Sequence, residues 1–227
     1  MKDYDSAIKF TKSLNDSLYC EKNELLGFSY GKTGDYALSI EHYENYMSDC
    51  NPSSIQRVNL GDSYFKNNQL KKAKDQFSQI NEGDANFPLP NYNLGMIEYN
   101  QGDKVRAANY FTSAINARNS SSFDFDYLEM LIKTLKKLKE FDKAFKNIKT
   151  VLALWETNSL EYQYTLVLKA SIFGANRKFK KALEILNYVL ESEKDNQNVL
   201  LEAYVYQLEY YWKIRKNKKA CIAYQNI

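Results

Sequence analysis

Breakers of regular structure are scarce in this chain: three prolines and eight glycines punctuate 227 residues. So few interruptions in a sequence rich in Leu, Lys, Ala, Glu and Asn favour helices joined by short turns. Histidine occurs once, at His42, which rules out a His-rich metal site and leaves any Cys-His catalytic pair a single candidate. Its setting, SIEHYENY, reads as the middle of a helix, where a partly exposed packing histidine is expected. The cysteines Cys20, Cys50 and Cys221 are odd in number, far apart and without metal-ligand or redox spacing. They are expected to be buried or partly buried thiols. No charge-free apolar stretch approaches the roughly eighteen residues a membrane helix needs, so no membrane insertion is expected. The N-terminus, MKDYDSAIKF, is acidic where a signal peptide would be basic and then apolar. A soluble chain in a reducing, cytoplasmic compartment is the default expectation, which a signal segment already removed would overturn.

Catalytic patterns are also missing. The chain holds no GxSxG elbow, no HExxH, no paired-cysteine box and no Ser-His-Asp ordering that His42 would anchor. The stretch GFSYGKTGDY, residues 27–36, suggests a phosphate cradle, but the glycine required five positions before Gly31 is Leu26. The preceding residues also lack the β-branched run of a buried parallel strand. We expect neither an enzyme nor a bound cofactor.

What is present is a period. Leu26-Gly27-x-x-Tyr30, Leu60-Gly61-x-x-Tyr64 and Leu94-Gly95 follow one another at 34-residue steps. After each comes a turn and a small-then-aromatic register: Ser39 with Tyr43, Ala73 with Phe77, Ala107 with Phe111. Apolar residues recur at three-to-four spacing on both sides of each turn, so each unit reads as two amphipathic helices, each too short to be stable alone. Gly27, Gly61 and Gly95 fall in mid-helix, where glycine costs about 1 kcal/mol against alanine. Close approach of a partner helix, with Ala73 or Ala107 equally small and the aromatics filling the surrounding space, is the expected offset. Gly34 is expected to end a helix in the left-handed conformation.

These motifs resemble the tetratricopeptide repeat, a 34-residue helix-turn-helix unit with Leu-Gly-x-x-Tyr in its first helix and Ala-x-x-x-Phe in its second. Three regular repeats cover about residues 20–118. The family's first-helix tryptophan is replaced by Asn23, Arg57 and Asn91, and Glu98 stands where a tyrosine is expected. Residues 1–19 read as a half repeat on Tyr4-x-x-Ala7-Ile8. Residues 119–227 read as divergent repeats on Phe141-x-x-Ala144, Phe179-x-x-Ala182 and Asn217-x-x-Ala220, after a polar break at NSSSFDF (119–125). The expected fold is therefore all-α, a single right-handed solenoid of about six helical hairpins over 1–227. Both ends read as cut, which points either to an excised regulatory or assembly region of a longer protein or to self-association through the solenoid ends.

The resemblance implies a non-catalytic scaffold for protein–protein interaction, with an extended peptide or a helix of a partner held in a concave groove lined by first helices. Mapped residue by residue, the groove register gives Glu24, Leu25, Phe28 and Lys32, then Val58, Asn59, Asp62 and Lys66, then Tyr92, Asn93, Met96 and Asn100. Asn59 and Asn93 sit one repeat apart, and an asparagine offers both donor and acceptor to a peptide backbone. Phe28, Tyr92, Met96 and Tyr99 are expected to supply apolar pockets, flanked by Asp62, Lys66 and Asn100. Glu24, Phe28, Leu89 and Asn93 replace the basic and amide side chains with which one subgroup grips the acidic C-terminus of heat-shock chaperones, so that ligand is not expected.

Charge is unevenly spread. Residues 1–113 carry twelve Lys/Arg against fifteen Asp/Glu, and residues 114–227 carry nineteen against thirteen. The surplus gathers in KTLKKLKEFDK (133–143), NRKFKK (176–181) and KIRKNKK (213–219), around turns between helices. No nucleic-acid fold motif accompanies it, so solvated turn lysines are expected rather than a nucleic-acid site.

Overall fold

The computed structural model describes residues 3–81, 88–116, 125–157, 159–192 and 196–227. Among these, every regular element is helical. A lone helix α1 (Tyr4–Lys12) precedes six hairpins: α2 (Tyr19–Thr33) with α3 (Tyr36–Asp49), α4 (Ser54–Lys66) with α5 (Leu70–Phe77), α6 (Pro88–Gln101) with α7 (Lys104–Asn116), α8 (Phe125–Lys137) with α9 (Phe141–Leu152), α10 (Leu160–Ala175) with α11 (Phe179–Ser192), and α12 (Gln197–Lys213) with α13 (Asn217–Gln225). The fold is all-α and built of hairpin repeats. The chain divides into two compact units, Met1–Leu128 and Glu129–Ile227. The expected polar break, residues 119–125, lies outside the described residues except for Phe125, which opens α8.

Each hairpin turns on one residue with positive φ. In the first unit these are Gly34, Asn68 and Gly102, 34 residues apart; in the second they are Lys139, Arg177 and Arg215, 38 apart. Gly34 takes the left-handed conformation expected of it, and its N–H returns to the Tyr30 carbonyl. Glycine and asparagine adopt this backbone at little cost, whereas Lys and Arg are strained by their Cβ.

The first unit shows what offsets the mid-helix glycines. A Cβ added to Gly61 would lie 2.5 Å from Phe77 Cε1, one on Gly95 2.5 Å from Phe111 Cε1, and one on Gly27 2.9 Å from Tyr43 Cδ2. The aromatic ring itself therefore occupies the notch, as expected of the aromatics. Gly61→Ala is expected to destabilise the first unit by about 2 kcal/mol: overpacking outweighs the gain of about 1 kcal/mol in helix propensity. Unfolding in urea, with Gly61→Ala/Phe77→Leu as the relieved control, measures this, and a stabilised single variant would contradict the notch.

The departures from the repeat pattern make polar tethers. Asn23, in the tryptophan position, donates through Nδ2 to the Tyr19 carbonyl and accepts from His42 Nδ1 at 2.9 Å, an arrangement that places the imidazole proton on Nδ1. His42 also stacks on Tyr30 at 5.6 Å, and burial lowers its basicity. One repeat on, Arg57 donates to Gln79 at 2.7 Å. Glu98, in the tyrosine position, is buried and pairs with Lys74 at 2.7 Å. Its register partner Tyr64 instead donates to Glu44.

Cys20 and Cys50 form a disulfide with Cα atoms 5.8 Å apart, and Cys221 is a free, exposed thiol. This corrects the expectation of three thiols. Hairpin geometry is the reason: α2 and α3 run antiparallel about Gly34-Asp35, so residues equidistant from the turn meet, as Cys20 meets Cys50 and Tyr19 Oη meets Asp49 at 3.0 Å.

In the second unit the core joins Val167, Ala170, Ala182, Leu186, Val199, Ala203 and Tyr210, drawn from α10, α11 and α12. Ala144, Ala182 and Ala220, the small residues of the divergent repeats, are all buried.

Candidate functional site

A small cleft of about 30 Å³ opens between α2 and α4. Phe28 and Lys32 line it from α2, Asn59, Asp62 and Lys66 from α4, and Ser39 and Tyr43 form part of its lining from α3. Five of the groove-register residues singled out in the sequence, Phe28, Lys32, Asn59, Asp62 and Lys66, therefore come together. They do so because α2 and α4 occupy equivalent places in successive hairpins, and Gly27 and Gly31, also in the lining, let Tyr43 and Ser39 approach α2 closely.

The cleft is polar in composition and only partly satisfied. Ser39 Oγ donates to the Gly27 carbonyl at 2.7 Å, Ser63 Oγ donates to the Asn59 carbonyl at 2.9 Å, and the two hydroxyl oxygens lie 2.8 Å apart. Two protons serve three contacts. The Tyr43 hydroxyl is buried and has no partner at full hydrogen-bond geometry; burial raises its pKa, against the pull of the neighbouring Asn59 side chain, and keeps it a donor. An unpaired buried hydroxyl costs about 1–3 kcal/mol. At the mouth, Lys66 pairs with Asp62 at 2.9 Å and lies 5.7 Å from the Tyr36 ring, while Lys32 lies 5.1 Å from the Phe28 ring. Of the other groove-register residues here, Leu25 is exposed, Val58 is buried, and Glu24 accepts from Gln56 Nε2 at 2.6 Å.

The α6 residues do not line this cleft. Asn93 is 4% exposed, and its Nδ2 has no partner. In the preceding repeat the register sets Asn59 beside Tyr43 of the second helix, whereas one repeat on the place of Tyr43 is taken by Phe77, which carries no hydroxyl. Tyr92 is half-buried and stacks on Tyr127 at 4.7 Å and against Phe111 at 5.7 Å. Met96 is half-buried and Asn100 exposed. Ser39, Ser63 and Tyr43 were not among the groove residues read from the sequence. Their signal lay in the repeat itself, since the equivalent places one repeat later hold Ala73, Ile97 and Phe77.

The second unit has its own polar cluster on first helices. Lys136 Nζ donates to Ser171 Oγ at 3.0 Å and lies 5.9 Å from the Tyr206 ring, and Tyr164 Oη donates to Glu129 at 3.1 Å. Burial lowers the Lys136 pKa against the pull of Glu209 and Glu129; burial, then the charge of Glu129, raises that of Glu202. Among the described residues no three His, Cys, Asp or Glu side chains are grouped to hold a metal ion, and no helix is long and apolar enough to cross a membrane.

No protein-family model matches the sequence, and no curated protein matches it. Solved structures do. The C-terminal part of a tetratricopeptide repeat-containing protein from Cytophaga hutchinsonii is 22% identical, with a TM-score of 0.75 over 99% of this chain and 89% of that one. A tetratricopeptide repeat protein from Parabacteroides merdae is 15% identical, with a TM-score of 0.68 over 90% and 77%. YrrB, described as a tetratricopeptide repeat protein with an unusual peptide-binding site, is 16% identical, with a TM-score of 0.55 over 88% and 96%. The period, the ring-filled glycine notches and these likenesses agree that the chain has the helical-hairpin fold of tetratricopeptide repeat proteins.

Proposed function

We propose that this chain is a non-catalytic protein-interaction module that holds an extended peptide along the first helices of its first unit. The observation that carries the reading is the α2–α4 cleft, where Phe28, Asn59, Asp62 and Lys66 surround space bordered by the buried Tyr43 hydroxyl, which has no partner at full hydrogen-bond geometry. Amide and hydroxyl groups left without partners are what a peptide backbone satisfies on binding. Phe28, 38% exposed, offers an apolar contact beside them. Asn93, with Tyr92, Met96 and Asn100, extends the same register one repeat further and is assigned to the next stretch of the peptide. The peptide-binding description of YrrB is consistent with this use of the fold.

Selection of displayed peptides on the purified chain tests the proposal. For the selected peptides, Phe28→Ala/Asn59→Ala is expected to weaken binding at least tenfold, the loss of one central anchor being worth about 2 kcal/mol, with the thermal midpoint held. Unchanged affinity in a folded double variant would reject the site.

A further inference from the structure

Two corners of the second unit carry the same run of cations. Arg177-Lys178-Phe179-Lys180-Lys181 joins α10 to α11, and Arg215-Lys216-Asn217-Lys218-Lys219 joins α12 to α13, 38 residues on. All eight cations are exposed, and no Asp or Glu occurs in 162–183 or 210–225. At the other corners the same five places hold at most two cations: none at 34–38, and two each at 68–72, 102–106 and 139–143. Where there are two, one is paired: Lys72 with Glu44 at 3.2 Å, Arg106 with Asp103 at 3.0 Å, Lys143 with Glu140 at 3.3 Å. Helix α12 packs against both α10 and α11, so first helix lies beside first helix and the two corners fall at one end of the stack. The α10–α11 corner stays exposed with a hairpin stacked on its helices, so stacking does not hide this edge.

Folding alone does not favour these runs. Arg177 and Arg215 hold the left-handed backbone, at φ 57° and 59°, where Gly34 and Gly102 stand in the first unit. Lys180 and Lys181, and likewise Lys218 and Lys219, occupy the first turn of α11 and α13, the end of a helix at which the backbone dipoles disfavour a cation. Neither helix has an acidic residue there to offset them. The last lysine of each run is used within the fold: Lys181 lies 6.0 Å from the Phe173 ring and Lys219 5.6 Å from the Tyr211 ring. The others project into solvent. Solvated turn lysines, the expectation from the sequence, would be scattered without regard to these costs. A charge kept twice at matching places, against backbone and dipole alike, is kept for a partner of opposite sign.

The surroundings select that partner. No large apolar side chain is exposed in 174–183 or 213–219, so the edge lacks the anchors on which the affinity of a protein partner depends. The rings nearest the cations lie against lysines rather than open for a base to stack on, as single-stranded nucleic acid requires. Each corner is a short turn, not a helix or ribbon offered to the groove of a duplex. A planar array of fixed negative charge needs none of these features and attracts each outward Lys or Arg separately. We propose that this polybasic edge lays the second unit on an anionic phospholipid surface, without insertion. The proposal does not rest on the α2–α4 cleft.

Flotation of the whole chain with phosphatidylcholine vesicles, with and without phosphatidylglycerol, tests it. Binding is expected to be at least tenfold tighter with phosphatidylglycerol and to fall as salt rises. Lys178→Gln/Lys180→Gln/Lys216→Gln/Lys218→Gln is expected to weaken it at least a hundredfold, at about fivefold per cation near the surface, with the thermal midpoint held or raised. Arg177→Gly/Arg215→Gly is expected to weaken binding at least tenfold while raising the midpoint, since it removes charge and backbone strain together. Equal binding to the two vesicles, no binding to either, or full binding by the quadruple variant would overturn the proposal. So would tighter binding to duplex DNA than to the anionic vesicles at the same salt, which would assign the edge to nucleic acid. A glycine variant whose midpoint does not rise would overturn it as well, by showing that the fold itself uses the arginines.

Discussion

Lys74→Met is expected to loosen the α5–α6 packing by about 3 kcal/mol. The carboxylate of Glu98 is 7% exposed and has its cation at 2.7 Å; Lys74 also donates to Gln101 Oε1 at 3.0 Å. Methionine keeps most of the aliphatic stem but removes the charge, and an unpaired carboxylate in a nearly dry site is far costlier than the loss of an attractive pair. The figure is set at the low end of what such truncations cost because Lys74 is itself 32% exposed, so water reaches the vacated end. Hydrogen exchange on the intact chain reads the effect locally, as a roughly hundredfold loss of protection in α5 and α6. Lys74→Met/Glu98→Tyr is expected to recover all but about 1 kcal/mol, because Tyr30 and Tyr64 fill the same register position in the preceding repeats and are buried there. A single variant as well protected as the parent would show that the pair contributes nothing.

Reduction of the Cys20–Cys50 bridge is expected to cost about 3 kcal/mol. The bridge closes a loop of 30 residues, and its loss frees the unfolded chain at the open end of the first hairpin. The thermal midpoint of the α2/α3 hairpin should fall on reduction, and Cys20→Ser/Cys50→Ser should sit at the reduced value with no response to reductant. Under non-reducing conditions an alkylating reagent should modify one thiol per native chain, Cys221; three modified thiols would disprove the pairing. Bridges of this kind persist in oxidising surroundings and are rare in the cytosol, so the pairing favours an oxidising setting over the cytoplasmic default drawn from the sequence.

The helical hairpins were legible because helix periodicity and glycine spacing are local properties. Leu26-Gly27, Leu60-Gly61 and Leu94-Gly95 announced the period, and Phe141, Phe179 and Asn217, read as starts of divergent second helices, begin α9, α11 and α13. What the glycines face was not local. Phe77 reaches Gly61 from sixteen residues away in the chain, and only the helix crossing decides that its ring rather than Ala73 fills the notch. The bridge was hidden for the same reason, although Cys20 and Cys50 are centred on Asp35, a symmetry that a hairpin reading can exploit. Of the candidate site, Phe28, Asn59, Asp62 and Lys66 could be found by register, since the cleft repeats the first-helix face. Ser39, Ser63 and Tyr43 could not, because a polar residue in a small or apolar register looks like ordinary variation until its hydrogen bonds are seen. Of the α8–α10–α12 cluster only Lys136 lay in a stretch singled out in the sequence, KTLKKLKEFDK, and its partners Ser171 and Tyr206 did not, because 38-residue units displace the groove register of the 34-residue motif.

Lys139, Arg177 and Arg215 hold a mirror-handed backbone that glycine adopts with ease. Each corner of the second unit thus carries a penalty of about 1 kcal/mol that its side chain does not require for packing. Three glycines at those corners would make this half sturdier while leaving every buried contact in place, a reserve of thermal tolerance that the natural chain leaves unused.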